Sequence, residues 1–427
     1  MPEYRAPEFH LPVRPDLGQL KRQAKELLRA ARAGAPEAVD LFARFHPGGR
    51  DPASIRLSDA QLVLARAYQA PSWPRLALAC RLVEAIWRDD VAAARDLIRR
   101  HPTLLHEEVL IRKNNWGPPL SYAANLGRDA IISAFIEAGA TDFAKAINRA
   151  ALQGQIGTAR KLHIAAGSPP PAPTALDDPA YTLNVEGTAF IFEIGGKVYD
   201  EAGAPLAPVG TVLGSDSRRP AAKHEILETY VRHGLELEDT PAMALHRGRI
   251  DLLEQHLVRD PGLLNRQFAY AEIYPPHWCG PPDEITATHG TPLAGATLLH
   301  MSIDYDEVEI ARWLIAQGAD VNAPAAIDGE GFGGHTALFA TVVSQPNFWT
   351  NRGQRPRDAV FADLLLAHGA DPNLRASLRK QLHPGYGADT LHEYRDVTPL
   401  AWGERFHRKE FVSEPAMQAI REAGGRP

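Results

Sequence analysis

The side chains best equipped for chemistry in this 427-residue chain are concentrated in three stretches. Residues 269–295 hold Tyr270, Tyr274, His277, Trp278 and Cys279 with Glu272, Asp283, Glu284 and His289, and contain neither Lys nor Arg. Imidazole beside carboxylate is the usual equipment for general acid and base work. His277, Asp283, Glu284 and His289 are the candidates for it, joined by Glu393 and Asp396 from a later stretch. Residues 344–357 carry Phe348, Trp349, Asn351, Arg352, Arg355 and Arg357, while 374–396 carry Arg375, Arg379, Lys380, His383, Tyr386, His392, Tyr394 and Arg395. Such basic, aromatic stretches suit recognition, because rings supply contact area and guanidinium groups supply oriented charge. The candidate binding residues are Tyr274, Trp278, Trp349, Arg352, Arg355, Arg379, His392 and Tyr394.

Sharper catalytic signatures are absent from the sequence. It has no His-Glu-x-x-His, Cys-x-x-Cys, complete calcium loop or Gly-x-Ser-x-Gly elbow. A metal centre would have to draw ligands from separate loops, such as His277, Asp283, His289 and His392, and none is expected. No cofactor is expected either. The run Gly329-Glu330-Gly331-Phe332-Gly333-Gly334 lacks the preceding strand and the Lys-Ser/Thr of a phosphate-binding loop, and is read as a hairpin turn. His335, just before Thr336, is assigned to stabilising that turn. Asp304, Asp306, Glu307 and Glu309 cluster where a helix is expected to start, and carboxylates favour that end of the helix dipole.

The elements that must position these stretches follow a repeat. Ala296-Thr297-Leu298-Leu299-His300 leads to Leu314-Ile315-Ala316-Gln317-Gly318-Ala319-Asp320-Val321-Asn322. Gly334-His335-Thr336-Ala337-Leu338 leads in the same way to Gly369-Ala370-Asp371-Pro372-Asn373, and Val397-Thr398-Pro399-Leu400-Ala401 leads to Ala423-Gly424-Gly425. Thr before Pro or Ala opens a short helix, its hydroxyl able to cap free N–H groups. A second helix follows, apolar at Val308, Ala311, Leu314 and Ile315, and ends at glycines able to take the left-handed C-cap. One helical pair cannot bury its apolar face alone, so neighbouring pairs must stack.

These segments resemble ankyrin repeats, and the resemblance places His300 at the histidine of the helix-capping tetrad, which implies that it bonds backbone across neighbouring units. Weaker copies start at Trp116-Gly117-Pro118-Pro119-Leu120 and fit 141–167, 174–200, 202–238 and 239–268, with 80–109 as a first, cap-like pair. The resemblance implies an all-α ankyrin-repeat solenoid of about nine helical pairs, degenerate over 79–268 and clearer over 295–427, with insertions at 269–295, 344–357 and 374–396. Residues 1–78 form a separate helical region, with one helix over Leu17 to Ala33 and a second capped by Ser58. It is similar to the small helical region ahead of the repeats in a group of bacterial ankyrin-repeat proteins.

Composition narrows the function classes. The chain is 44% hydrophobic and 23% charged, with a net charge of -6 and only two cysteines, Cys80 and Cys279. That fits a folded protein of a reducing compartment, the cytoplasm by default. No apolar run approaches the roughly 20 residues of a membrane span, and the N-terminal residues have no apolar signal core, so neither a membrane partner nor export is expected. Nucleic acid is not expected as a partner, although Lys21, Arg22, Lys25, Arg29 and Arg32 make one basic helix face. The expected function is a module binding a protein or peptide partner on its concave face and inserted loops. The alternative is an enzyme of hydrolase or lyase type, its site built from the same loops around an anionic or glycan small molecule.

Overall fold

The computed structural model describes residues 11–48, 54–110, 116–215, 219–281, 290–343, 358–382 and 390–427. Asp283, Glu284, His289, Trp349, Arg352 and Arg355 lie outside the described residues. The chain divides into two compact units, Met1–Ala172 and Pro173–Pro427.

In the first unit the helix Leu17–Arg32 buries Leu20, Ala24, Leu27 and Ala31 on one face, and Asp16 caps it by accepting from the N–H groups of Gly18 and Gln19. The helix Leu57–Ala67 begins differently from expectation. Ser58 is not its cap: the helix starts from a cap two residues earlier, at Arg56, whose N–H donates to the Asp59 carboxylate at 2.8 Å. The longer reach of Asp59 satisfies the backbone from inside the first turn. Helical pairs follow at Trp73–Trp87 and Val91–Arg100, Pro119–Asn125 and Asp129–Glu137, and Phe143–Leu152 and Ile156–Ala165.

The second unit continues with short helices paired in sequence. These are Asp177–Tyr181 with Val185–Glu193, Val209–Leu213 with Pro220–Arg232, Pro241–His246 with Ile250–Arg259, Leu298–Asp304 with Val308–Ala316, Ala337–Val342 with Val360–Ala367, and Pro399–Arg405 with Glu414–Glu422. First helices of successive pairs pack on each other, as Leu298–Asp304 does on Ala337–Val342 and that helix on Pro399–Arg405. They are buried almost throughout, whereas second helices such as Val308–Ala316 bury one stripe. The turns are tied by a ladder of asparagines. Asn322 donates to the Gly369 carbonyl at 3.0 Å and accepts from Asp371 N at 2.8 Å. Asn373 makes the same pair of bonds to Gly424 and Arg426, and Asn265 accepts from Asp320 N at 2.9 Å.

The architecture is not purely helical. The described residues around the 374–396 insertion give an antiparallel hairpin of strand β1, Ala376–Lys380, and strand β2, His392–Val397. The alternation explains it: Ala376, Leu378 and Lys380 turn inward while Ser377 and Arg379 point to the other face, the period of a half-buried strand. A register shift between Ala376 and Leu378 sets two β2 residues against Ser377, and Asp396 takes the positive φ of 50° that this bulge needs.

Candidate functional site

The hairpin belongs to a larger surface on the second unit. Gly333 and Ser377 exchange backbone hydrogen bonds of 2.7 and 3.2 Å, so β1 is tied to the turn of the preceding repeat. That turn is built by Asp328, whose carboxylate accepts from the N–H groups of Glu330 and Phe332 at 2.9 Å each. These bonds, more than any cation, hold the Asp328 carboxyl below the usual carboxylate range. The glycine run is thus a turn closed by its own aspartate. Gly333 has a φ of 120° in a space where a Cβ would stand 1.9 Å from the Ala326 carbonyl oxygen, so only glycine fits.

Arg379 leaves β1 toward this turn. It donates to Asp328 at 2.8 Å and pairs with Glu330, and its guanidinium lies 4.9 Å from the ring centroid of Phe332. Arg395, on β2, lies 4.2 Å from the same ring and bonds Glu393 at 3.1 Å. Phe332 is therefore an aromatic plate carrying two guanidinium groups, framed by carboxylates. Beneath it lies a cavity of about 90 Å³ lined by Pro292, Ala326, Phe332, His335, Ser377 and Arg379, among others.

The histidines below are neutral. His300 donates from Nε2 to the His335 carbonyl at 2.9 Å, while its Nδ1 accepts from the Thr297 hydroxyl at 2.9 Å. This is the bond across neighbouring units assigned from sequence. His335 donates from Nε2 to the Pro292 carbonyl at 3.0 Å. Burial lowers His300 to about 4 and His335 to about 3, the latter helped by the neighbouring His300 ring.

The other candidates do not gather into one site among the described residues. His277 pairs with Glu238, and the Trp278 indole donates to the same carboxylate at 2.9 Å. Both contacts fasten the 269–295 insertion to the unit, and His277 remains largely exposed. Gly210 makes room for it, since a Cβ there would lie 2.1 Å from the Trp278 carbonyl oxygen. Tyr274 is buried, bonding Tyr305 hydroxyl to hydroxyl at 2.6 Å. Tyr394 is buried too, packed on Trp402 and Phe406 and joined to His407 Nδ1 at 2.7 Å. His392 stacks on His407 at 3.8 Å, and Asp396 pairs with Arg375 on the surface. Among the described residues no cluster of three or more His, Cys, Asp or Glu is placed to hold a metal ion. Burial pushes the Cys80 thiol up to about 12 and Cys279 to about 11, which removes thiolate character from both.

Sequence reasoning missed a buried polar cluster in the same unit. Lys223 donates to His246 Nδ1 at 2.7 Å, with its ammonium 4.2 Å from the Tyr305 ring centroid, and His246 Nε2 donates to the Ile273 carbonyl at 2.9 Å. Nearby, His224 and Glu307 meet at 2.7 Å, and Gly248 admits the His224 ring where a Cβ would come within 2.2 Å. Glu307 thus reaches across 83 residues of sequence, a role beyond favouring its own helix. No local motif marks Lys223 or His246, because their partners come from segments far apart in the sequence. No described helix is long and apolar enough to cross a membrane.

Comparison with known proteins bears on the second unit. A solved structure, the human ASB11 ankyrin repeat domain, aligns at 15% identity over 82% of this chain and 98% of that chain, with a TM-score of 0.22. No curated protein matches the chain. The family model for the ankyrin repeat matches residues 294–326, the span from the lip of the cavity through the His300 helix to the asparagine turn, and that segment is similar to an ankyrin repeat.

Proposed function

We propose that the protein is a protein-interaction module, and that its partner docks on the second unit across the Asp328 turn and the β1–β2 hairpin. Ankyrin repeats generally serve protein interaction, and the match at 294–326 lies directly against this surface. The observation that carries the reading is the Phe332 plate, with Arg379 and Arg395 held over it by a hairpin that is itself bonded to the turn. Aromatic and arginine side chains held in place before binding lose little entropy on docking. The remaining pairs are read as further stacked repeats, and the region before them as a separate helical lead.

The test is capture of partners from lysate by the full chain, compared with the double variant Arg379→Glu, Arg395→Glu. Both side chains are partly exposed, and because the reversals add negative charge beside Asp328, Glu330 and Glu393, unchanged hydrogen-exchange protection at Ser377 N is the check that the hairpin stays attached. A stoichiometric partner retained by the parent chain and released by the variant is the expected result. A partner held equally by both chains places docking elsewhere.

A further inference from the structure

The cavity under Phe332 has a chemical bias that its lining defines. His335 is 1% exposed and lines it, yet Nδ1 has no hydrogen-bond partner among the described residues. Because Nε2 must carry the proton to reach the Pro292 carbonyl, Nδ1 presents a bare lone pair, an acceptor. Thr291 and Thr336, each adjacent in sequence to a lining residue, also keep buried hydroxyls with no partner among the described residues. An unpaired buried acceptor is costly, and the one on His335, a residue that lines the cavity, points to an occupant.

The occupant's charge follows from the rim. Asp328, which lines the cavity, disfavours an anion, while Arg379, also in the lining, disfavours a cation. About 90 Å³ admits several waters or one small polar group. We propose that this cavity is a specificity pocket for a neutral, hydrogen-bond-donating side chain of the bound partner, an amide or a hydroxyl, which donates to His335 Nδ1. The proposal rests on the reading of this surface as a protein-docking face. Arg379 and Asp328, ion-paired at 2.8 Å with side chains 25% and 39% exposed, form the solvent side of the pocket, and the entering side chain displaces that pair.

Acetamide is the probe. With histidine-15N-labelled full-length protein, the Nδ1 resonance of His335, assigned through His335→Gln, is expected to shift saturably with acetamide and to stay in place with acetate or methylammonium. Ala294→Val, which narrows the cavity without touching the His335 hydrogen bonds, is expected to weaken the acetamide response about tenfold. Absence of a saturable acetamide shift overturns the proposal and leaves a water-filled cavity. A shift with acetate or methylammonium alone overturns it in favour of an ion site. The two readings separate cleanly. A silent pocket in a chain whose partner is released by the arginine reversals removes only the pocket, whereas a responsive pocket in a chain whose partner ignores the reversals removes the docking face and, with it, the peptide occupant.

Discussion

His300 and His335 stand with rings 5.4 Å apart, edge to face, each donating one N–H to a backbone carbonyl and neither able to accept a proton without charging the interior. Their folded values, about 4 and about 3, lie below the roughly 6.5 of an unfolded histidine. The unfolded chain therefore binds protons first as pH falls. The stabilisation is fully present above about 6.5 and is lost toward about 4, amounting to about 2 kcal/mol for His300 alone between pH 7 and pH 5. Denaturant melts at those two pH values check it, and a His300→Gln chain is expected to lose less stability over the interval than the parent. His300 was legible because the ankyrin resemblance places it at the position that makes this bond. The pairing of His335 with Pro292 was not, since 43 residues separate them and no pattern links the two. Lys223 was hidden for the same reason, and Tyr274 and Tyr394 looked like surface anchors because sequence shows aromatic character without showing which side of a loop faces the core.

Short helices and turns were the most legible elements, because each carries its own start and stop. Thr240 and Thr398 cap as their position predicts, accepting from Met243 N and Ala401 N at 3.2 and 3.1 Å. Thr297 departs from the pattern by giving its hydroxyl to His300. The hairpin was missed: its strands are short, and the alternation in Ala376–Lys380 is masked by a buried lysine at its end. Its attachment depends on Gly333. In Gly333→Ala the new methyl group meets the Ala326 carbonyl and the backbone loses a φ that only glycine takes easily. A loss of about 3 kcal/mol is expected, with faster hydrogen exchange at Ser377 N, while His300 stays protected. Equal loosening of the His300 helix would show that the hairpin is not a separate attachment.

At the scale of the whole molecule, charge sets an expectation about partners. The exposed Lys21, Arg22 and Lys25 lie on one helix of a chain whose net charge is -6, and a lone basic stripe neutralises few phosphates. The protein is expected to pass through heparin at physiological ionic strength, and retention that falls steeply with salt would reopen nucleic acid as a partner. The insertions were legible as places, since long junctions interrupt a regular pattern, but not as structures, because what each side chain meets is decided by distant segments. Asn322 shows how such interruptions are tolerated. Its amide joins turns 47 and 49 residues apart, so neighbouring repeats hold their alignment directly and not through the chain between them. A protein fastened in this way can lengthen, shorten or exchange its insertions over evolutionary time without renegotiating the scaffold. The same property makes the segment between β1 and β2 a natural place to graft a new recognition loop.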